Sequence, residues 1–277
     1  MYFQCGRFRL PFTRPLVMGI LNLTPDSFFD GARYPTLEAA CMRAQRMVEE
    51  GADLIDIGGE STRPGAIPVS APEEIGRVIP AVRVLRNLGI PLSVDTYKPE
   101  VMRAALDAGA DLINDVQGFR QPGALDAVRA SHCGVCVMHM LGAPQTMQRA
   151  PSYQDVVTEV AGFLRERVKT LEASGIARAR IAIDPGFGFG KTIEHNLTLL
   201  ARLPELALPD IPLLAGLSRK STLGAVTGRA PRERLAASIA AAVCAAQRGA
   251  RIIRVHDVGP TVDALKIGYE VQKKEHP

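Results

Sequence analysis

Eight short aliphatic runs punctuate the chain, at 16–21, 53–57, 91–94, 111–114, 134–138, 181–183, 212–216 and 251–255. Each stops at a polar or glycine-rich stretch that leads into an amphipathic segment, the signature of strands alternating with helices. The runs are continuous rather than alternating, as expected of strands buried on both faces of a parallel sheet. Helix starts are marked at Pro35-Thr36, Ala71-Pro72-Glu73-Glu74, Lys98-Pro99-Glu100 and Pro231-Arg232-Glu233, where proline or a capping residue precedes acidic side chains. Eight such units in 277 residues match an α/β fold of the (β/α)8 TIM-barrel type. An open doubly wound sheet is the alternative, and more often uses fewer strands. No Ser/Gly linker interrupts the pattern, so residues 1–277 are expected to form a single barrel domain. Segment 1–12 alternates Phe3, Cys5, Phe8, Leu10 and Phe12 around Gly6, which predicts a short N-terminal β-hairpin closing one end of the barrel.

Composition excludes several classes of function. Hydrophobic residues make up 47% of the chain, enough for a large core. The net charge of +4 is mild, no Lys/Arg-rich block occurs and there is no Trp, so nucleic acid is not an expected partner. No apolar run approaches the ~18 residues of a membrane helix. The N-terminus lacks the continuous apolar stretch of a secretory signal. Five cysteines, at 5, 41, 133, 136 and 244, are odd in number and scattered, which points to reduced thiols and a cytoplasmic location. Cys133 and Cys136 have redox or zinc spacing but open a predicted strand, and read as two core thiols.

In a barrel of this type the C-terminal strand ends carry the site. Here they hold Asn22, Asp56, Asp95, Asn114-Asp115, Met138-His139, Asp184, Ser218-Arg219-Lys220-Ser221, and Arg254 with His256. Any one of these reads as a turn former or helix cap. Together on one rim they read as a ligand site. There is no His-x-His and no cluster of three His, so a zinc or two-metal hydrolase lacks its ligands. Segment 185–192 is similar to a P-loop, but Pro185 stands where that motif needs Gly. It reads instead as a glycine-rich loop presenting aromatic faces, Phe187 and Phe189, to a flat ligand. Arg63, Arg219, Lys220, Arg254 and His256 suit a phosphate or diphosphate. Asp95, Asn114 and Asp184 suit a planar heterocycle with several N–H donors. Five of the nine Phe, at 28, 29, 119, 187 and 189, fall in predicted loops after strands one, four and six. They are expected on the rim, enclosing flat substrates.

These residues carry a resemblance. Met18 to Gly31 resembles the first signature of the dihydropteroate synthase family, and Gly51 to Gly65 the second. Further matches occur around Asp95, Asn114-Asp115, Met138-His139-Met140, Asp184 to Lys191, Gly216 to Ser221 and Arg254 to Val258. Eight motifs in order cover essentially the whole chain. Leu23 and Leu141 depart from the pattern, at positions without an assigned role.

The resemblance implies a transferase of folate biosynthesis. It joins 6-hydroxymethyl-7,8-dihydropterin diphosphate to 4-aminobenzoate, with Mg²⁺ on the diphosphate and sulfonamides as competitors. It implies that Asp95, Asn114, Asp184, Lys220, Met138, Phe189 and Arg254 form the pterin pocket. Asn22, Thr62, Arg63, Arg254 and His256 would hold the diphosphate, with Asn22 the metal ligand. Phe28, Thr62, Pro64, Phe189, Lys220 and Ser221 would surround 4-aminobenzoate. Asp95, Lys220, Arg254, Asn22 and Asp30 would act in catalysis. Loops 22–34 and 58–70 are expected to close over the site, and the last helices to form a homodimer. Three alternatives stand beside this: a pterin-dependent methyltransferase barrel, a non-catalytic pterin-binding paralogue and a phosphate-binding sugar isomerase barrel. The motifs at Ser61-Thr62-Arg63-Pro64 and Ser218-Arg219-Lys220-Ser221 weigh against the first, and Asn22, Asp30, Thr62, Arg63 and Pro64 against the second. The third would need a Gly-rich phosphate loop after strands seven and eight, which these segments do not supply.

Overall fold

The computed structural model describes residues 1–24, 36–62 and 65–275. A two-stranded antiparallel hairpin, β1 (Tyr2–Cys5) and β2 (Phe8–Pro11), precedes the barrel. The barrel strands are β3 (Leu16–Asn22), β4 (Leu54–Gly58), β5 (Leu92–Asp95), β6 (Leu112–Asp115), β7 (Gly134–Met138), β8 (Ile181–Asp184), β9 (Leu214–Ala215) and β10 (Ile252–Val255). They pair in parallel in the order β8-β7-β6-β5-β4-β3-β10-β9. The ring is closed where Ile183 bridges Leu213 in parallel and its N–H donates to the Pro212 carbonyl at 3.0 Å. The seventh run is longer in sequence than in the sheet. Pro212 has no N–H to give the ladder, and the regular strand begins only at Leu214.

Helices α1 (Leu37–Glu49), α2 (Ala71–Leu85), α3 (Pro99–Ala108), α4 (Ala124–Arg129), α5 (Val156–Ala173), α6 (Ile193–Ala201), α7 (Ser221–Thr227), α8 (Leu235–Gln247) and α9 (Val258–Glu275) follow the strands. The start signals act through identifiable caps. Thr36 accepts from Ala39 N–H, and Ser70 from Glu73 N–H. Pro231-Arg232-Glu233 opens a 3-10 turn, and α8 begins just after it, at Leu235.

The hairpin plugs the N-terminal mouth. Phe3 and Cys5 are buried with Leu16, Met18, Leu54, Leu112, Cys136, Ala182, Leu214 and Ile252, an apolar layer inside the barrel. Gly6 makes the turn at φ +54°, where a Cβ would press on Asp111. Arg7 then locks the hairpin to Asp111 with two bonds of 2.9 Å. Cys133 and Cys136 are buried, unpaired thiols, and burial pushes both up from the ordinary range.

Side chains on a strand return to the same face every second residue. Two residues beyond this layer, five strands therefore present Asp56, Asn114, Met138, Asp184 and Arg254 to the C-terminal mouth. The apolar layer fixes which strand residues can face the site.

Candidate active site

At that mouth a charge cluster fills the barrel. Arg254 donates through Nε to Asp56 Oδ2 at 2.6 Å and through a terminal nitrogen to Asp95 Oδ2 at 2.9 Å. Asn114 Nδ2 donates to the same Asp56 oxygen at 3.1 Å. Burial pulls the Arg254 guanidinium down, but Asp56, Asp95 and Asp184 outweigh it and raise it above its ordinary value. Burial pushes Asp95 up to about 7 against the pull of Arg254. It also raises Asp184, which accepts from Gly186 N–H at 2.7 Å. Among the described residues, Asp56 Oδ1, Asp95 Oδ1, Asn114 Oδ1 and Ser93 Oγ are buried without a hydrogen-bond partner. Buried polar atoms are rarely left unpaired. Four of them grouped on β4, β5 and β6 form a row of acceptors for a ligand that brings N–H donors.

One wall is apolar. Met138, Met140, Met147 and Val116 form a buried cluster, with Tyr97 and Phe189 packed on it. Beside it, the Lys220 ammonium donates to the Phe187 carbonyl and sits 4.6 Å from the centroid of the Phe189 ring. Burial lowers Lys220 to about 8, partly offset by Asp184. Asp95, Asn114, Asp184, Lys220, Met138, Phe189 and Arg254 are thus drawn to one mouth from six sequence-distant segments.

The remaining candidates lie around the rim. Asn22 ends β3 opposite Gly58, and Gly58 is in turn opposite Asp95. Thr62 is half-buried on the loop after β4. Below it, Lys98 bridges Glu60 and Glu74, and Tyr97 OH and Val69 N–H both donate to Glu60. His256 Nδ1 lies 3.0 Å from the Ser218 hydroxyl, which also accepts from His256 N–H at 3.2 Å. Ser221 is exposed as the first residue of α7. Phe28, Asp30, Arg63 and Pro64, with residues 25–34 of the first closing loop, lie outside the described residues.

Three expectations change. Arg219 was grouped with the anion-binding groups, but its guanidinium is held by Asp257 at 2.5 and 2.9 Å. It ties the loop after β9 to the loop after β10, at a strained φ of +58°. Phe119 and Phe187 were expected on the rim, yet they are 2% and 1% exposed in the core between barrel and helices. Phe28 and Phe29 lie outside the described residues, which leaves Phe189 as the described phenylalanine at the site. Asp56 was counted on the rim without a specific role, and Ser93 received none. For Asp56 the signal was present: an Asp two residues beyond Leu54 repeats the spacing of Asn114 beyond Leu112 and Asp184 beyond Ala182.

Comparison with known proteins agrees with this geometry. A family model described as "Pterin binding enzyme" matches residues 18–256. The dihydropteroate synthase of Escherichia coli K12 is 50% identical over 259 residues, 93% of this chain and 92% of the relative. The crystal structure of Burkholderia cenocepacia dihydropteroate synthase complexed with 7,8-dihydropteroate is 59% identical. It superposes with a TM-score of 0.91 over 99% of this chain and 97% of that one. Xanthomonas albilineans dihydropteroate synthase with 4-aminobenzoic acid is 55% identical, with a TM-score of 0.92 over 98% of both chains. With the fold, the order of motifs and the polar mouth all in agreement, this chain belongs to the pterin-binding enzyme family and, within it, to the dihydropteroate synthases.

Proposed function

We propose that this chain condenses 6-hydroxymethyl-7,8-dihydropterin diphosphate with 4-aminobenzoate, giving 7,8-dihydropteroate and diphosphate. The observation that carries this reading is the row of buried acceptors at Asp56, Ser93, Asp95 and Asn114, beside the cationic groups Lys220 and Arg254. A pterin edge supplies N–H donors to the acceptors, and the cations face its carbonyl side and the anionic leaving group.

Asn114 and Asp184 hold the pyrimidine edge, Asp95 the other ring's N–H, and Lys220 the O4/N5 side. Met138 and Phe189 wall the ring, with Arg254 alongside. The C–O bond to the diphosphate breaks with its electron pair on the departing oxygen. Positive charge on the methylene spreads into the ring, where Asp95 opposes it. The neutral aniline nitrogen then forms the C–N bond, and its proton passes to solvent as the loops reopen. Thr62, Arg63, Arg254 and His256 hold the leaving group. Phe28, Thr62, Pro64, Phe189, Lys220 and Ser221 enclose 4-aminobenzoate, and sulfonamides compete for that place. Asp30 acts from the first loop, and closure of both loops excludes water.

Magnesium fits this donor set. It takes much of its coordination from phosphate and water and needs only one or two protein oxygens. A Cβ at Gly58 would come within 3.4 Å of Asn22 Oδ1, so the glycine keeps space open beside that amide. Asn22 would hold the ion, which when bound neutralises charge on the diphosphate.

We also place the protein in the cytoplasm, on the strength of its odd, scattered thiols; no described helix is long and apolar enough to cross a membrane. Helices α8 and α9 carry exposed Leu235, Ile267 and Val271, which supports a homodimer through this face. Light scattering at twice 29.8 kDa is the expected result.

The activity test is direct. Purified protein is incubated with the pterin diphosphate, Mg²⁺ and 4-aminobenzoate, and both products are followed. Equal release of diphosphate and dihydropteroate is expected. Pterin binding by folded protein without release would instead favour the non-catalytic paralogue.

A further inference from the structure

Lys191 closes the glycine-rich segment after β8 and has no part in the chemistry above. Its side chain is buried, and its ammonium contacts His139 Nδ1 at 2.9 Å, the Gly186 carbonyl at 2.9 Å and the Phe189 carbonyl at 3.0 Å. An ammonium has three donors and no acceptor. When charged, it can donate to the Gly186 and Phe189 carbonyls and to the His139 ring, and burial lowers the amine to about 7. None of these partners is a carboxylate. Burying such a cation is costly, so stability alone does not account for a lysine here.

What the ammonium holds is the backbone of the loop. Gly186, Gly188 and Gly190 all have φ between +64° and +81°, a conformation glycine adopts without steric penalty and leaves as readily. Other side chains fasten the loop too: Tyr153 OH donates to the Gly190 carbonyl at 2.8 Å, Gly188 N–H to Asn196 Oδ1 at 2.7 Å, and the Gln148 amide to the Gly188 carbonyl. The same loop delivers the Phe187 carbonyl to Lys220, and the Phe189 ring beneath that ammonium.

We propose that Lys191, assisted by Tyr153, is a positioning residue for the reaction: it clamps the Gly186–Gly190 loop onto His139 so that the Phe187 carbonyl and the Phe189 ring hold Lys220 in its working position. The inference rests on the function proposed above. It predicts that loss of Lys191 acts through Lys220.

The test is a double-mutant cycle of wild type, Lys191→Met, Lys220→Gln and the double variant. It is read as kcat/KM for 4-aminobenzoate and as Kd for the pterin diphosphate, with thermal melting as the control for folding. Lys191→Met should lower kcat/KM by roughly 10²-fold, the cost of misplacing a working group by about 1 Å. The same change in the Lys220→Gln background should cost less than about threefold. Multiplicative losses in a folded protein would overturn the proposal. Tyr153→Phe keeps the ring and removes one bond. It should show a smaller loss with the same dependence on Lys220, and it decides the matter if Lys191→Met does not fold. Wild type that releases no diphosphate would count against the proposed function. The clamp would then be judged on the Kd cycle alone, where additive effects overturn it.

Discussion

Arg254 lies 2.6 Å from Asp56, a carboxylate with no exposed surface at the centre of the barrel mouth. The contact joins residues 198 positions apart and settles how the mouth is charged. Without it the guanidinium would be left with Asp95 alone, and Asp56 would be a buried charge held only by the Asn114 amide. A buried pair of this kind is costly to break from one side, because the other partner stays desolvated. The pair also leaves Asp56 Oδ1 without a partner, so one carboxylate both anchors the cation and offers an acceptor to a ligand.

Asp56→Asn tests that double duty. The amide can still accept from Arg254, yet it loses the charge that balances it. Pterin diphosphate affinity by calorimetry should fall by about tenfold or more, in keeping with the ~1.5–3 kcal/mol of a charge-assisted bond. Asp56→Leu should also lower the melting temperature sharply. Unchanged affinity in Asp56→Asn would show that Asp56 serves only the core.

The sequence displayed most of the architecture and only part of the site. Continuous aliphatic runs located the strands because both faces of a barrel strand are buried, and the strand-end residues located the mouth. Which polar residues face inward was harder. Asp56 was counted on the rim but given no partner, and the shared register of Leu54, Leu112 and Ala182 in the interior layer shows that it points inward. Phe119 and Phe187 misled for a related reason. Their loops lie at the rim, but backbone geometry turns the side chains outward into the helix layer. For Phe119 that geometry is a positive φ of +57°, fixed by bonds that Gln117 N–H and Phe119 N–H donate to the Asp115 carboxylate. Arg219 was a cation of the right charge in the right place, and its partner Asp257 sits 38 positions away, a pairing that spacing does not reveal.

The pH profile should reflect two buried groups with opposite demands. Asp95 opposes the methylene cation only when ionised, and burial holds it up to about 7. Lys220 is a cation only below its own value of about 8. kcat/KM should therefore rise through pH 7 and fall through pH 8. Lys220→Gln should remove the alkaline limb and keep the acid one. An alkaline limb that survives in this variant would sink the assignment.

His139 should make the fold sensitive to acid. Burial, with Lys191 and Arg120 nearby, lowers it from 6.5 to about 3. In that window the unfolded chain binds a proton that the folded one refuses. Stability is thus full above pH 6.5 and is lost as pH falls towards 3. Melting temperatures of wild type and His139→Gln, compared at neutral pH and at pH values inside this window, check the sign. Wild type should lose more on acidification, and parallel losses would exclude His139 as the cause.

Two glycine substitutions separate backbone strain from close packing. Gly89 has φ +79° with open space around its Cβ position. Gly89→Ala should therefore cost only the conformational penalty, about 1 kcal/mol. Gly186 has φ +67°, and a Cβ there would run into the His139 carbonyl oxygen, which is backbone and cannot swing away. Gly186→Ala should carry the same strain plus displacement of the loop from the end of β7. The expected loss is about 3 kcal/mol or more in urea denaturation. Activity should fall even where the variant stays folded, because the displaced loop carries the Phe187 carbonyl and the Phe189 ring that hold Lys220. Equal costs for the two variants would mean that the loop does not lie tightly on His139, and the route from Lys191 to Lys220 would lose its first link.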